Sequence, residues 1–442
     1  MFSAFANIFR VPELKNRVLF TLGILLVFRI GIFIPIPGVN VGALENYFKG
    51  QTSGVLGYLN LFSGGALKQS SIFALGVMPY ISMSIILQLL TAVIPALEKL
   101  SKEGELGRRK ITQYTRLGTV ALCVIQGTGT TYLLRSFGEN FVYHWGIGFQ
   151  LMTILALTTG TIFIMWLGEQ ITEYGIGNGM SVIIFAGIVA GLPSQLLETF
   201  RLFKINQISL FAILFFALFI ILSIAFIVVL QQGARKIPVQ YATRVVGRQV
   251  FKGQSTQLPL KVDYSGVIAV IFASSILVFP SQIAIYLEKM VPEESWFYGA
   301  MDFITRNFSP GAFIYYVLYS ALIVFFCYFY TAIAFNPTDL SENMKKYGGF
   351  IPGIRPGLPT AEFIDRTLTR ITIWGALAVC LIAVVPELLT RRLHIPIHFG
   401  GTSLLIIVGV ALDTMKQIES HLLMRHYDGF MKKGRLKGRS AF

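Results

Sequence analysis

Ten apolar stretches recur along the 442 residues, near 18–36, 72–94, 117–134, 147–167, 180–192, 208–230, 266–287, 313–335, 368–388 and 401–415. Nothing else in the chain limits its fold so strongly. About 20 apolar residues cross a bilayer as a helix, and hydrocarbon offers backbone amides no outside partner, so each crossing must close its hydrogen bonds internally. The chain therefore reads as an all-α polytopic membrane protein with ten transmembrane helices, the fifth of them short. Charge agrees with this, since only 13% of residues are charged against about 25% in soluble domains. The opening MFSAFANIFRVPELKNR is a basic, amphipathic lead-in without a cleavable signal pattern, so the first span is expected to remain in the product. Cys123, Cys327 and Cys380 sit in separate apolar runs, which points to small core residues rather than a disulfide or metal framework.

The formal net charge of +15 is unevenly placed. Lys and Arg in alternate connections, beginning with the N-terminus, total 26 against 9 in the opposite set. By the positive-inside bias both termini are expected in the cytoplasm. One connection on that side, GEQITEYGIGNG at 168–179, contributes no positive charge.

The run from Gly54 to Val93 is apolar yet broken, with Gly64, Gly65, Lys68, Gln69, Ser70 and Ser71 dividing a short glycine-rich half from a longer one. Irregular backbone at membrane depth is tolerated where protein buries it or where it lines an aqueous cavity. The segment thus reads as the lining of a passage. Gln88, Gln126, Ser274 and Ser275 also lie within spans, where polar side chains belong at helix contacts or a wet lumen.

Two connections assigned to the cytoplasmic side are long and basic. Residues 231–265 alternate β-branched and polar side chains around Val245, Val246, Gly247 and Arg248, the pattern of a projecting hairpin. Residues 336–367 open with a helical segment and then turn at Gly348-Gly349, Pro352-Gly353 and Pro356-Gly357, placing Arg355 at a tip. Such loops can hold topology and attract anionic lipid, although topology alone needs less chain.

Catalytic constellations are missing from the pattern. Arg29 lies inside the first span, where it can snorkel outward or pair within the protein. Glu169, Glu173, Asp263 and Asp413 fall near span ends, where a helix terminus can cap a carboxylate. His394 and His398 flank Pro396 without a further ligand, so no metal is expected. The glycine-rich SGGAL and GIGNG lack the lysine and hydroxyl of a phosphate loop, and no nucleophile, base and orienting group assemble, so no cofactor and no enzyme activity are expected.

The stretches FRIGIFIPIPG (28–38), NLFSGGALKQSSIFALGVMPYIS (60–82), KEGELGRRKITQYTR (102–116), WLGEQITEYGIGNGMSVIIFAGIVAGLP (166–193), GQSTQLPLKV (253–262), FIPGIRPG (350–357) and FGGTSLLI (399–406) resemble the SecY family of protein-conducting channels, in the family's own order. The resemblance implies two five-helix halves related as an inverted repeat, residues 1–192 and 208–417, with an external hinge at 193–207 and a basic tail at 418–442. It implies a plug over about 54–67, bearing Gly54, Tyr58, Asn60, Phe62, Gly64 and Gly65, followed by a wall helix from Ser71 to about Val93. It places an aliphatic pore ring at Val77, Ile81, Met180, Ile184, Ile271 and Ile406, with Met180 in place of the more usual isoleucine. It sets a lateral gate between spans 2/3 and 7/8, where Gln88, Ser274 and Ser275 fall, and Ala269 replaces a proline common in the family. It assigns Arg244, Arg248 and Arg355 to docking the motor ATPase SecA or a ribosome, with contacts to ribosomal RNA possible. SecE and SecG are implied as membrane partners, signal sequences and nascent polypeptides as cargo, and the bacterial inner membrane as the location. The competing readings are a small-solute secondary transporter, which needs a midplane ligand site, and an intramembrane hydrolase, which needs a nucleophile and base.

Overall fold

Helices occupy nearly every apolar stretch in the computed structural model, which describes residues 11–50, 55–241, 244–246, 249–251, 255–288, 296–309, 311–393 and 400–433. Among the described residues, eight helices are long and apolar enough to cross a membrane, and a pair bent by 100° can make a ninth. The chain is a multi-pass membrane protein. The helix in first position, α1 (Pro12–Gly31), carries Glu13, Lys15, Arg17 and Arg29 and so falls outside that count. It also ends earlier than its apolar run. Past Gly31 the chain turns, Pro35 faces Ser71, and Ile36 N–H and Ile34 C=O bond to Ser70 and Ile72.

The chain forms two compact units, Met1–Leu192 with Val410–Phe442, and Pro193–Gly409. The first unit contains α1, α2 (Val41–Gly50), α3 (Val55–Phe62), α4 (Met78–Val93), α5 (Pro95–Lys102), α6 (Glu105–Ser136), α7 (Ile147–Tyr174) and the start of α8 (Gly179–Lys204). The wall helix expected from Ser71 begins instead at Met78, because residues 71–77 are held in turns by contacts to α1. Ile94, with extended backbone, then separates α4 from α5, each of which carries a proline in its first turn, Pro79 and Pro95. Pro fits the first turn of a helix, where its missing N–H has no intrahelical partner to lose.

The expected short fifth span is a correction. Helix α8 runs through Pro193 to Lys204, so most of the expected 193–207 connection is helical. Proline within a membrane helix is tolerated where neighbours absorb the lost bond.

The second unit carries the rest of α8, then α9 (Leu210–Gln232), α10 (Val267–Glu288), α11 (Trp296–Asn307), α12 (Phe313–Ala334), α13 (Pro337–Lys346), α14 (Leu358–Leu393) and the start of α15 (Gly401–Lys433). Helix α9 is strongly apolar and mostly exposed along its length, whereas α10 is mostly buried. The first suits lipid on most of its surface; the second is enclosed by protein.

The fold is not purely helical. Strands β1 (Ala234–Tyr241) and β4 (Ser255–Lys261) form an antiparallel ladder, and β2 (Arg244–Val246) pairs with β3 (Gln249–Phe251) at its far end. This two-tier ladder is the expected hairpin. Strand β5 (Gly349–Phe350), from the other long connection, joins the opposite edge of β1 through Gln240↔Phe350 and Tyr241↔Gly349. A core of Ile237, Val239, Leu260, Met344, Ile351 and Ile364 lies beneath, so the two connections share one base.

Candidate functional site: a broken segment in the first unit

The segment between α3 and α4 is irregular but closes its own bonds. At the end of α3 the Asn60 Oδ1 accepts from Lys68 N–H at 2.9 Å, and the Asn60 carbonyl accepts from Gly65 N–H at 2.8 Å. Ser63 Oγ donates to the same carbonyl and accepts from Leu67 N–H. Further on, Ser71 Oγ, fully buried, donates to the Gly31 carbonyl at 2.9 Å and accepts from Phe73 N–H at 3.1 Å. Buried backbone without partners costs several kcal/mol per group at membrane depth, so these side chains are what let the chain leave the helix.

Gly64 has φ +67°, and a Cβ there would lie 2.9 Å from the Gly187 Cα of α8. The reciprocal Cβ on Gly187 would meet Gly64 Cα at 3.2 Å. Two backbones touch here, and a side chain on either would part them. Arg29 reaches the same corner, donating to the Gly64 carbonyl at 3.2 Å with its guanidinium 5.2 Å from the Phe33 ring centre. The intraspan arginine therefore pairs within the protein. Phe62 is buried and Asn60 half-buried, while Tyr58 lies on α3. Gly54 lies outside the described residues.

Four of the expected ring positions belong to the first unit. Val77, Ile81 and Ile184 are buried, at 3%, 6% and 3% exposure, and Met180 is half-buried with its sulfur in the space a Cβ on Gly168 would need. Ile271 and Ile406 are buried in the second unit.

Polar residues within the spans are largely bonded within their own helices. Ser274 and Ser275 both donate to the Ile271 carbonyl, at 2.8 and 2.7 Å, and Gln88 donates to Ser84 Oγ at 3.3 Å. Gln126 is 3% exposed on α6. Back-bonding of this kind hides a hydroxyl from an apolar neighbour.

Sequence reasoning missed two arrangements. Arg116 of α6 and Glu169 of α7 form a two-pronged pair, Nε to Oε1 at 2.9 Å and Nη2 to Oε2 at 2.8 Å. Their separation by 53 positions hides the pairing from sequence spacing. The uncharged GIGNG turn between α7 and α8 is likewise clamped: Arg17 donates to the Gly175 carbonyl, Ile176 N–H to Thr21 Oγ1, Gly177 N–H to Gln417 Oε1 and Gly179 N–H to Thr172 Oγ1.

In the second unit Asp263 Oδ1 holds the turn that leads into α10, accepting from Ser265 Oγ at 2.7 Å and Gly266 N–H at 2.8 Å. Burial beside it raises the Tyr264 hydroxyl pKa above its ordinary value. Arg355 is exposed between the turns before α14, where its carbonyl accepts from Thr360 Oγ1 at 2.8 Å. Arg244 lies on β2, and Arg248, His394 and His398 lie outside the described residues. No group of three or more His, Cys, Asp or Glu that could hold a metal ion occurs among the described residues.

A family model described as SecY matches residues 71–415. The chain belongs to the SecY family. Protein translocase subunit SecY of Vibrio cholerae is 48% identical over 428 residues, 97% of this chain and 96% of that protein. Its counterpart in Escherichia coli K12 is 47% identical over 433 residues, 96% of each. Among solved structures, a SecY whose plug domain is described as stabilising the closed channel and maintaining a membrane seal has a TM-score of 0.64 at 17% identity, over 92% of each chain. Sec61 in the canine ribosome–channel complex gives 0.60 at 16% identity, also over 92% of each. At these identities the likeness establishes the fold, and the SecY-family membership rests on the sequence matches.

Proposed function

We propose that this chain is the channel-forming subunit of a protein translocase, conducting unfolded polypeptides across a membrane and releasing apolar segments sideways into lipid. It moves chain rather than converting it. The observation that carries this reading is the broken segment from Val55 to Val77, which sits between two spans, leaves the helix, and satisfies its backbone through Asn60, Ser63 and Ser71. In a SecY-family chain such a segment is suited to act as a plug. Val77, Ile81, Met180, Ile184, Ile271 and Ile406 serve as the ring that closes by excluding water, since apolar constrictions gate by dewetting and aliphatic side chains yield around a passing chain. Gln88, Ser274 and Ser275 line the lateral gate.

The paired long connections serve as the docking base for a motor ATPase or a ribosome, the second being the partner of canine Sec61 in its ribosome–channel complex. Arg244, Arg248 and Arg355 supply bidentate contacts to carboxylate or phosphate. SecE and SecG complete the complex in the bacterial inner membrane, with both termini in the cytoplasm.

Stalled translocation tests the reading. A photocrosslinker at Ile81, Ile184 or Ile406 should capture a polypeptide arrested in transit, while one at exposed Leu218 on α9 should not. Equal capture at all four positions, or none at the three ring positions, would remove the pore assignment.

A further inference from the structure

The hairpin of α6 and α7 carries a cation and aromatic cluster at its mouth that the channel reading does not use. Arg135, in the last turn of α6, places its guanidinium 4.7 Å from the ring centre of Trp145, just before α7. Tyr132, one turn earlier on α6, has its ring 6.0 Å from Trp145, and the Phe149 ring lies 5.9 Å from it. Arg135 is exposed and forms no ion pair with a described residue. Stacking uses the flat face of a guanidinium and leaves its edge N–H groups directed elsewhere.

The depth of this cluster follows from the helices that bear it. Both α6 and α7 are long and apolar enough to cross a membrane, so the connection between them lies where hydrocarbon gives way to headgroups. Ile147, Leu151 and Leu155, four apart on α7, are 76%, 57% and 66% exposed and form an apolar stripe that starts immediately beyond Trp145. Exposed Tyr143 and His144 adjoin the cluster, and a Cβ on Gly146 or Gly148 would meet nothing within 4 Å, which leaves room beside the indole. Aromatic rings with an amphipathic edge concentrate at this level of a bilayer.

We infer that Arg135 and Trp145, at the mouth of the α6–α7 hairpin, form a binding site for the phosphate of an anionic phospholipid, whose acyl chains lie along the Ile147–Leu151–Leu155 stripe. An anionic headgroup is favoured over a choline-bearing one on charge. The indole face that would receive a quaternary ammonium is already covered by Arg135, and a second cation beside the guanidinium is repelled. This site lies apart from the basic long connections, whose attraction to anionic lipid is a general surface effect.

The test uses the full chain with Trp166, Trp296 and Trp374 changed to Phe, so that Trp145 reports alone. In nanodiscs of mixed phosphatidylglycerol and phosphatidylcholine, acyl-brominated phosphatidylglycerol should quench Trp145 well beyond its mole fraction, and R135Q should lower the apparent affinity about tenfold, the scale of one lost charge-assisted contact. R135K, which keeps the charge without the planar fork, should fall between them. Far-ultraviolet circular dichroism of each variant confirms that the helices are retained. Unchanged enrichment in R135Q overturns the site, as does quenching at the bulk mole fraction in the parent. A Trp145 emission shift produced by millimolar inorganic phosphate without lipid also overturns it, since the ligand would then be a free ion. So does absence of quenching by either brominated lipid, which would place protein over the stripe.

Discussion

At single residues, the first unit is most sensitive where Gly64 and Gly187 touch. Gly64→Ala adds a methyl 2.9 Å from backbone and requires a positive φ of an L-residue, so it should destabilise the unit by about 1–3 kcal/mol. Thermal unfolding of the detergent-solubilised protein reads this, and an unchanged midpoint would mean the two backbones are not pressed together. The Arg116–Glu169 fork is half-exposed, which limits its worth to about 1 kcal/mol despite good geometry. A double-mutant cycle with R116Q and E169Q should return a coupling of that size; zero coupling would reduce the pair to coincidence. Neither feature could be read from the sequence. Gly64 was visible as a breaker, but its partner lies 123 positions away on another helix, and a glycine among Ile183, Ile184 and Ile188 carries no mark of the contact it makes.

At the scale of elements, the spans were legible because uninterrupted apolar runs of sufficient length have few alternatives to a buried helix. Their ends were not. Residues 71–77 read as the start of α4, since Ile72, Phe73, Ala74, Leu75 and Val77 continue the apolar run. What stops the helix is a bond from Ser71 to a carbonyl 40 residues earlier. The family resemblance implied a connection at 193–207, yet α8 continues through Pro193 to Lys204. The hairpin in 231–265 was legible from alternation, whereas its union with 336–367 depends on a two-residue strand with no pattern of its own. That union has a consequence for stability. Ile237→Ala, in the shared core at 4% exposure, should cost about 3 kcal/mol locally and raise hydrogen exchange in both connections together. Faster exchange confined to 231–265 would show that β5 pairing does not couple them.

For the whole molecule, what crosses the membrane is the readout. Arg355→Glu should block motor-driven export by reversing charge at the proposed docking base, with the protein still inserted in the membrane. Export assays in inverted vesicles check this, and normal export would remove Arg355 from docking. Gln88→Leu should alter how apolar a signal sequence must be to open the lateral gate, which a graded series of signals would read. Ser274 and Ser275 are expected to contribute less than their chemistry suggests, because both hydroxyls are occupied by the Ile271 carbonyl.

Single-channel recording in planar bilayers reads whether the channel is held shut by a plug and an aliphatic ring. The intact chain with SecE should be nearly silent, and the same complex lacking residues 54–67 should flicker open to ions. Equal tightness in both forms, with flux driven by a small-solute gradient in vesicles, would make the protein a transporter instead.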